Sequence, residues 1–214
     1  MFITLEGPDG SGKTTQARLL AEWLREQGYD VTLTREPGGT DIGDQIRAVL
    51  HDPENRAMDA RTEILLYSAS RAQHVAQRIR PALADGKIVV SDRYADSTLA
   101  YQGYGRGLDR ETLRKITAFA TGGLTPDLTL YLDLSPDEGL HRRQLGGGEW
   151  NRLDAEALEF HQRVRAGYLE LIEQQPDRWA TIRADRPVEE VQKEIRGVVK
   201  EKLERTTEYG TRNT

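Results

Sequence analysis

Short apolar runs alternate along the chain with longer segments whose apolar residues recur every three or four positions. A short apolar run is typical of a buried β-strand, whereas the longer spacing is typical of a helix with one apolar face. The predicted strands are residues 2–6, 31–34, 88–91, 128–132 and 179–182. Because strands that alternate with helices pair in parallel, the pattern predicts an α/β fold with a parallel sheet covered by helices on both faces.

The helical pattern is clearest in two segments, and both are predicted to pack against the sheet. Gly28 is expected to end the first helix, whose apolar stripe consists of Ala17, Leu20, Ala21 and Leu24. The stripe of the second helix consists of Leu65, Ala69, Ala72, Ala76 and Ile79. Two further helices are predicted where apolar residues recur over 160–171 and 188–198.

A glycine-rich segment follows the first predicted strand and opens the first predicted helix. It reads Gly7-Pro8-Asp9-Gly10-Ser11-Gly12-Lys13-Thr14, which is the spacing of a phosphate-binding loop. Glycine permits backbone angles that turn successive N–H groups toward a polyphosphate at a helix N-terminus. Lys13 is then expected to reach the β- and γ-phosphates, and Thr14 to offer its hydroxyl to Mg²⁺. The segment predicts a nucleoside triphosphate site, and a chance glycine-rich turn is the alternative.

Composition narrows the class of protein further. The 214 residues, 37% of them hydrophobic, suit one domain over residues 1–206, and the polar residues 207–214 are expected to form a disordered tail. No apolar run approaches the ~20 residues of a membrane span, and no secretory signal pattern is present, so a cytoplasmic protein is expected. The chain has no cysteine, so any metal is expected to be Mg²⁺ bound through oxygen. The net charge of −5 argues against a broad nucleic-acid surface.

A second candidate for phosphate chemistry follows the third predicted strand. Asp92 and Arg93 come directly after residues 88–91, and ligands of open α/β sheets gather at the carboxyl ends of the strands. An aspartate there can hold Mg²⁺, and an arginine can bridge the donor and acceptor phosphates. From the dipeptide alone, a surface ion pair at a strand end is an equally good interpretation.

From about residue 2 to about residue 205 the chain resembles the thymidylate kinase family. The matching motifs are residues 7–15, Thr-Arg-Glu-Pro-Gly-Gly-Thr at 34–40, Asp-Arg-Tyr at 92–94 and Ala-Tyr-Gln-Gly at 100–103. The resemblance implies a five-stranded parallel sheet of the P-loop nucleoside monophosphate kinase type. It also implies transfer of the γ-phosphoryl group of ATP to dTMP, with Mg²⁺, in a homodimer.

The resemblance assigns an acceptor site. Tyr67 and Arg71 share one face of a predicted helix, with the ring expected to stack on thymine and the guanidinium to bond its carbonyl edge. A solvated helix face is the alternative. Thr98 and Gln102 would complete the polar rim, and Tyr101 would lie against the deoxyribose. Further residues are implied at the 3′-hydroxyl (Asp9), at the acceptor phosphate (Arg47 and Arg93), and in orienting Arg93 or a Mg²⁺-bound water (Glu36).

The donor site is implied by the same resemblance. ATP is expected on residues Gly7 to Thr15 and on Arg142, with Thr14 and Asp92 near the metal. Residues 142–154 combine arginines with a glycine run and resemble the family's lid, although a linker with incidental arginines is the alternative. Some family members carry an arginine in the phosphate loop where this chain has Gly10. We therefore expect a lid arginine to supply that charge: Arg152 first, and Arg143 as the fallback.

Three other readings remain open at this stage. A GTPase would need a base-reading Asn-Lys-x-Asp after a strand, and residues 151–154 only imitate that motif beside the lid glycines. A non-catalytic nucleotide-binding module would keep the phosphate loop without an acceptor site. A kinase for another small nucleotide would differ only in the groups that meet the base. The predicted reaction needs no general base, because a phosphate oxygen is already ionised; catalysis can rest on Lys13, Arg93 and the lid arginines.

Overall fold

The computed structural model describes residues 1–146 and 151–211, and residues 206–211 by their backbone alone. Its centre is a five-stranded parallel sheet in the order β2-β3-β1-β4-β5. The strands are β1 Phe2–Glu6, β2 Val31–Arg35, β3 Ile88–Asp92, β4 Leu128–Asp133 and β5 Trp179–Arg183. All five predicted strands and the parallel arrangement are therefore confirmed.

Helices fill the connections between the strands. They are α1 Lys13–Glu26, α2 Asp41–His51, α3 Ala60–His74, α4 Arg80–Ala84, α5 Ala95–Thr98, α6 Arg110–Thr121, α7 Pro136–Leu145, α8 Leu158–Gln174 and α9 Val188–Thr211. A π-helical turn at Val75–Ile79 joins α3 to α4, and a second at Leu99–Gly105 follows α5. None of the described helices combines the length and hydropathy of a membrane span.

The core lies on both faces of the sheet. On one face, aliphatic side chains of the central strands pack against α1 and α9, with Leu20, Leu130 and Ile195 fully buried. On the other, an aromatic cluster that includes Tyr131 and Tyr168 packs under α8. Because all strands run in parallel, the residues that follow β1, β2, β3 and β4 meet at one edge of the sheet.

The predicted packing of the second helix is wrong for four of its five stripe residues. Leu65 has 59% of its surface exposed, Ala69 and Ala76 are exposed and Ala72 is half-buried, whereas Ile79 is buried. The buried face of α3 carries polar residues instead, among them Ser70 and Arg71. These side chains are buried because they bond to the loop after β2, so the apolar stripe points away from the sheet.

Two segments differ from the expected lid and tail. Arg142 and Arg143 lie in the last turn of α7, not in a segment without helix. The predicted glycine hinge falls partly on Gly147 and Gly148, which lie outside the described residues, as do residues 149, 150 and 212–214. The helix α9 continues to Thr211, into residues 207–214 where the polar tail was expected.

Candidate active site

The phosphate-binding loop connects β1 to α1 and depends on its glycines. Gly7, Gly10 and Gly12 have φ of 143°, 78° and 86°, in the region that residues with a side chain rarely adopt. Gly10 also touches α7, because a Cβ on it would lie 2.1 Å from the carbonyl oxygen of Gly139. The loop and the helix that carries the lid arginines are therefore in direct backbone contact.

Lys13 begins α1 with its side chain folded back over the loop. Its Nζ donates to the carbonyl oxygen of Pro8 at 2.7 Å and lies 3.3 Å from Ser11 Oγ. Burial, together with the charge of Arg93, lowers the pKa of Lys13 to about 8, although Asp9 acts in the opposite direction. The loop thus holds an ammonium group that lacks a fully compensating partner.

Thr14 and Asp92, the two residues predicted to lie near a metal, meet across the gap between α1 and β3. The Thr14 hydroxyl donates to Asp92 Oδ2 at 2.5 Å, and both residues line the cleft described below. A hydroxyl and a carboxylate are the hard oxygen ligands that Mg²⁺ prefers. Among the described residues no group of three or more His, Cys, Asp or Glu is placed to hold a metal. A cation here would have two side-chain ligands, and water or phosphate oxygens would complete its coordination.

Asp9, Arg93 and Tyr101 form a charged cluster at the mouth of the loop. Arg93 Nη2 donates to Asp9 Oδ1 at 2.5 Å, and the Tyr101 hydroxyl donates to Asp9 Oδ2 at 2.9 Å. Burial acts to raise the pKa of Asp9, but the charges of Arg93 and Lys13 lower it well below its usual range. Arg93 adopts φ 70°, a left-handed conformation outside glycine. Asp9 is thus held by side chains that reach it from β3 and the turn after α5.

Arg71 is anchored by three bonds behind the cleft. Its Nε donates to Glu36 Oε2 at 2.7 Å, Nη1 to Thr98 Oγ1 at 2.8 Å and Nη2 to the carbonyl oxygen of Tyr94 at 3.0 Å. A guanidinium has five N–H groups, so this anchoring leaves N–H groups available to a ligand. His74 Nδ1 lies 3.0 Å from Glu36 Oε1.

The predicted role of Glu36 needs correction. The sequence suggested that Glu36 orients Arg93 or a Mg²⁺-bound water, but the structure pairs it with Arg71 and His74. Burial acts to raise the pKa of Glu36, and the Arg71 charge and the His74 contact more than offset this and lower it. The reason is topological: the loop after β2 faces α3, which presents these two side chains.

One cleft of about 510 Å³ joins these groups. Of the predicted acceptor-site residues it brings together Asp9, Glu36, Arg47, Tyr67, Arg71, Arg93, Thr98, Tyr101 and Gln102. The predicted donor-site residues that line it are Asp9, Gly10, Gly12, Lys13, Thr14, Thr15 and Arg142. The phosphate loop and the residues predicted to bind a base therefore share one continuous opening.

Two lid arginines face this cleft from α7. Arg143 donates to both carboxylate oxygens of Asp154, from Nε at 3.1 Å and from Nη2 at 2.5 Å. Arg142 donates from Nε to Glu138 Oε1 at 2.8 Å and from Nη1 to the carbonyl oxygen of Ala184 at 2.9 Å. Both line the cleft.

The structure places Arg152 elsewhere. Its side chain is only 8% exposed, pairs with the carboxylate of Glu63 through Nη2, and donates from Nε to the carbonyl oxygen of Leu50 at 3.3 Å. Arg152 is absent from the residues that line the main cleft, so its predicted place beside the phosphates is corrected. The physical reason is charge compensation, because a buried carboxylate is costly without a cationic partner.

Two residues of this region escaped the sequence analysis. His51 lines the cleft, and burial together with Arg47 lowers its pKa to about 4, so the ring is neutral at pH 7. Glu63 is fully buried on α3. Its place four residues before Tyr67 and eight before Arg71 puts it on their helix face, a signal that was available in the sequence.

Comparison with known proteins agrees with this geometry. The family model described as thymidylate kinase matches residues 5–195. A thymidylate kinase of Roseiflexus sp. (strain RS-1) is 52% identical over 222 residues, covering 99% of this chain and 98% of the relative. One from Clostridium novyi (strain NT) is 52% identical over 200 residues, covering 93% of this chain and 98% of the relative.

Solved structures give the same result at the level of the fold. The crystal structure of thymidylate kinase from Ehrlichia chaffeensis matches with a TM-score of 0.77 at 36% identity. The match covers 93% of this chain and 98% of that chain. Family model, full-length relatives and fold all agree, and the chain belongs to the thymidylate kinase family.

Proposed function

We propose that this thymidylate kinase transfers the γ-phosphoryl group of ATP to dTMP, giving dTDP and ADP. One observation carries the proposal: the phosphate loop, Tyr67 and Arg71 all line the same cleft. A transferase must hold donor and acceptor phosphates in one site for direct transfer. A nucleotide-binding module without turnover would have no use for the second half of the cleft.

The acceptor nucleotide would lie between α3 and the π-helical turn after α5. The Tyr67 ring supports stacking on the base, and the anchored guanidinium of Arg71 supports a bond to its carbonyl edge. Thr98 and Gln102 complete the polar rim. The deoxyribose would meet Tyr101 and Asp9, whose mutual bond presents a flat ring and a carboxylate to the sugar.

Catalysis would rest on positive charge around the transferred phosphoryl group. Lys13 covers the loop, Arg93 would stand between donor and acceptor, and Arg47 and Arg143 line the same cleft. Donors fixed in advance stabilise charge that develops in the transition state, and an acceptor phosphate oxygen needs no general base. We assign the role of lid cation to Arg143 on this geometry.

ATP would bind along residues Gly7 to Thr15, with Arg142 at the outer end of the donor site. Mg²⁺ fits beside Thr14 and Asp92, where it would neutralise phosphate charge when bound with the nucleotide. The short bond between the two side chains keeps their oxygens adjacent.

We also propose a homodimer that forms across α2, α3 and α6. These helices pack side by side, and each exposes a large apolar residue: Ile42 and Val49 on α2, Leu65 on α3 and Phe119 on α6. Exposed apolar side chains on adjacent packed helices mark an interaction surface. Ala69 on α3 and Ala76 on the π-helical turn that follows it are also exposed.

The test is a phosphoryl-transfer assay with ATP over a panel of nucleoside monophosphates. We expect dTMP to be the preferred acceptor and Lys13→Ala to lower kcat by a factor on the order of 10³ while the protein stays folded. Lys87→Ala is the matched control, because Lys87 pairs with Asp30 and Asp85 outside the cleft. Preference for another monophosphate would replace the proposed acceptor, and near-normal turnover of Lys13→Ala would refute the mechanism.

A further inference from the structure

A buried carboxylate lies behind the base end of the cleft. Glu63 on α3 is fully buried, and its Oε1 accepts a hydrogen bond from Gln102 Nε2 at 2.7 Å. Its Oε2 accepts from Arg106 Nη2 at 3.1 Å and pairs with Arg152. Glu63 is not among the residues that line the cleft, so it reaches a ligand only through Gln102.

The two arginines determine which hydrogen bonds Glu63 can make. Burial acts to raise the pKa of Glu63, but the bonds from Arg106 and Gln102 and the arginine charges lower it. An ionised carboxylate only accepts hydrogen bonds. Gln102 must therefore turn its NH₂ group toward Glu63.

This bond also determines what Gln102 presents to a ligand. Gln102 is 2% exposed and lines the cleft, and its amide nitrogen is held by Glu63. The amide oxygen takes part in no hydrogen bond among the described residues. The amide oxygen is therefore fixed on the side of Gln102 that is turned away from Glu63, where it can accept a hydrogen bond from a ligand in the cleft.

We propose that Glu63 is a positioning residue that sets base specificity by fixing the amide of Gln102 with its oxygen toward the base. The proposal rests on the placement of the base beside Gln102 under the proposed function. An amide oxygen accepts from the N3–H of thymine but opposes N3 of cytosine, which is itself an acceptor. A freely rotating amide would serve both bases, because it could turn its NH₂ group toward cytosine.

The experiment compares dTMP with 5-methyl-dCMP, which keeps the methyl group and differs along the base edge. We expect Glu63→Gln to lower the ratio of the two kcat/KM values by about tenfold or more, since a neutral amide at position 63 can donate as well as accept. The change is expected in KM for the acceptor, with KM for ATP within about twofold of the wild type. Any loss of kcat/KM for 5-methyl-dCMP that comes from Arg71 is the same in every variant, so it cancels when the ratios of the variants are compared.

Glu156→Gln is the matched control. Glu156 pairs with the same Arg106 at 2.7 Å, and no bond joins it to Gln102 in the described structure. We expect its ratio to stay at the wild-type value. A second variant, Glu63→Asp, keeps the charge but withdraws the carboxylate from Gln102, and should lower the ratio in the same direction.

Three outcomes would overturn the proposal. An unchanged ratio in a folded Glu63 variant removes the specificity role, and an equal fall in Glu156→Gln shows a general charge effect. A Gln102→Leu variant with normal discrimination would refute the base placement itself, together with the role of Glu63. NMR of the wild type needs no variant: one Gln102 amide proton should exchange slowly with dTMP bound, and fast exchange of both protons would refute the fixed amide.

Discussion

Two arginines of the cleft are held in different ways. Arg71 has three bonds to partners behind it, so its guanidinium is fixed before any ligand arrives. Arg93 is held by Asp9 and by the carbonyl oxygen of Gly7 in front of it, on a backbone with φ of 70°. A side chain in the left-handed region costs about 1–3 kcal/mol. The fold therefore places one arginine with little strain and the other at a backbone cost.

The strain at Arg93 can be measured with two variants that both remove the guanidinium. We expect Arg93→Gly to unfold with a free energy about 1 kcal/mol higher than Arg93→Ala, because only glycine relieves the left-handed backbone. Denaturant titration gives the difference. Equal stabilities would mean that the backbone at position 93 relaxes once the side chain is gone.

Lys13 predicts a pH dependence of ATP binding. The folded, ligand-free protein has a Lys13 pKa of about 8, below the ordinary 10.5, because burial disfavours the ammonium. Bound phosphates would favour the charged form and raise this pKa again. We therefore expect ATP binding at pH near 8 to take up protons, and its affinity to fall as pH rises above the free value.

Calorimetry in buffers of different ionisation enthalpy measures this proton uptake directly. Lys13→Ala is the control, since it removes the titrating group. Uptake that persists unchanged in the variant would assign the proton to another residue.

At the scale of elements, we propose separate roles for two arginines of the predicted lid segment. We expect Arg143→Ala to reduce the single-turnover rate by about 10²–10³, because Arg143 faces the cleft. Its affinity for dTMP should stay within a few-fold of the wild type.

Arg152→Ala should instead lower the free energy of unfolding by about 3 kcal/mol, because it leaves Glu63 with one cationic partner fewer. Rapid-quench kinetics and denaturant titration separate the two. A stable Arg152→Ala protein without turnover would restore Arg152 as the transferring cation.

The sequence predicted the strands because a buried parallel strand is apolar on both faces and its local composition decides its structure. The sequence mispredicted which face of α3 is buried. Arg71 and Ser70 on the inner face bond to Glu36 and Gly38, which lie far away along the chain. The predicted position of Arg152 was wrong for the same reason, because its partner Glu63 lies far away along the chain, on α3. The phosphate loop could be predicted because its motif is one contiguous stretch of sequence. Contacts between residues that are far apart along the chain cannot be recognised in a short stretch.

At the scale of the whole molecule, a cationic cleft is set in an acidic protein. The chain carries a net charge of −5, yet the cleft is lined by Lys13 and by six arginines: Arg35, Arg47, Arg71, Arg93, Arg142 and Arg143. Local positive charge matches two phosphate-bearing ligands.

The proposed dimer gives the prediction at this scale. We expect Leu65→Asp to shift the protein toward monomer in sedimentation velocity, because a charge would enter the apolar surface formed by α2, α3 and α6. Tyr29→Asp is the control, since Tyr29 is an exposed apolar residue just beyond α1, outside those three helices. A wild-type protein that sediments as a monomer at micromolar concentration would contradict the dimer.

The helix α3 has two opposite faces with different proposed roles. Leu65 and Ala69 are exposed, while Tyr67 and Arg71 line the side of the cleft that we propose holds the acceptor. In a dimer, contact with the second subunit would restrain the outer face of α3 and thereby hold Tyr67 and Arg71 in position. Dilution to monomers would remove this restraint. The enzyme's affinity for its acceptor would then depend on its own concentration, while its affinity for ATP, held by a loop on the far side of the cleft, would not.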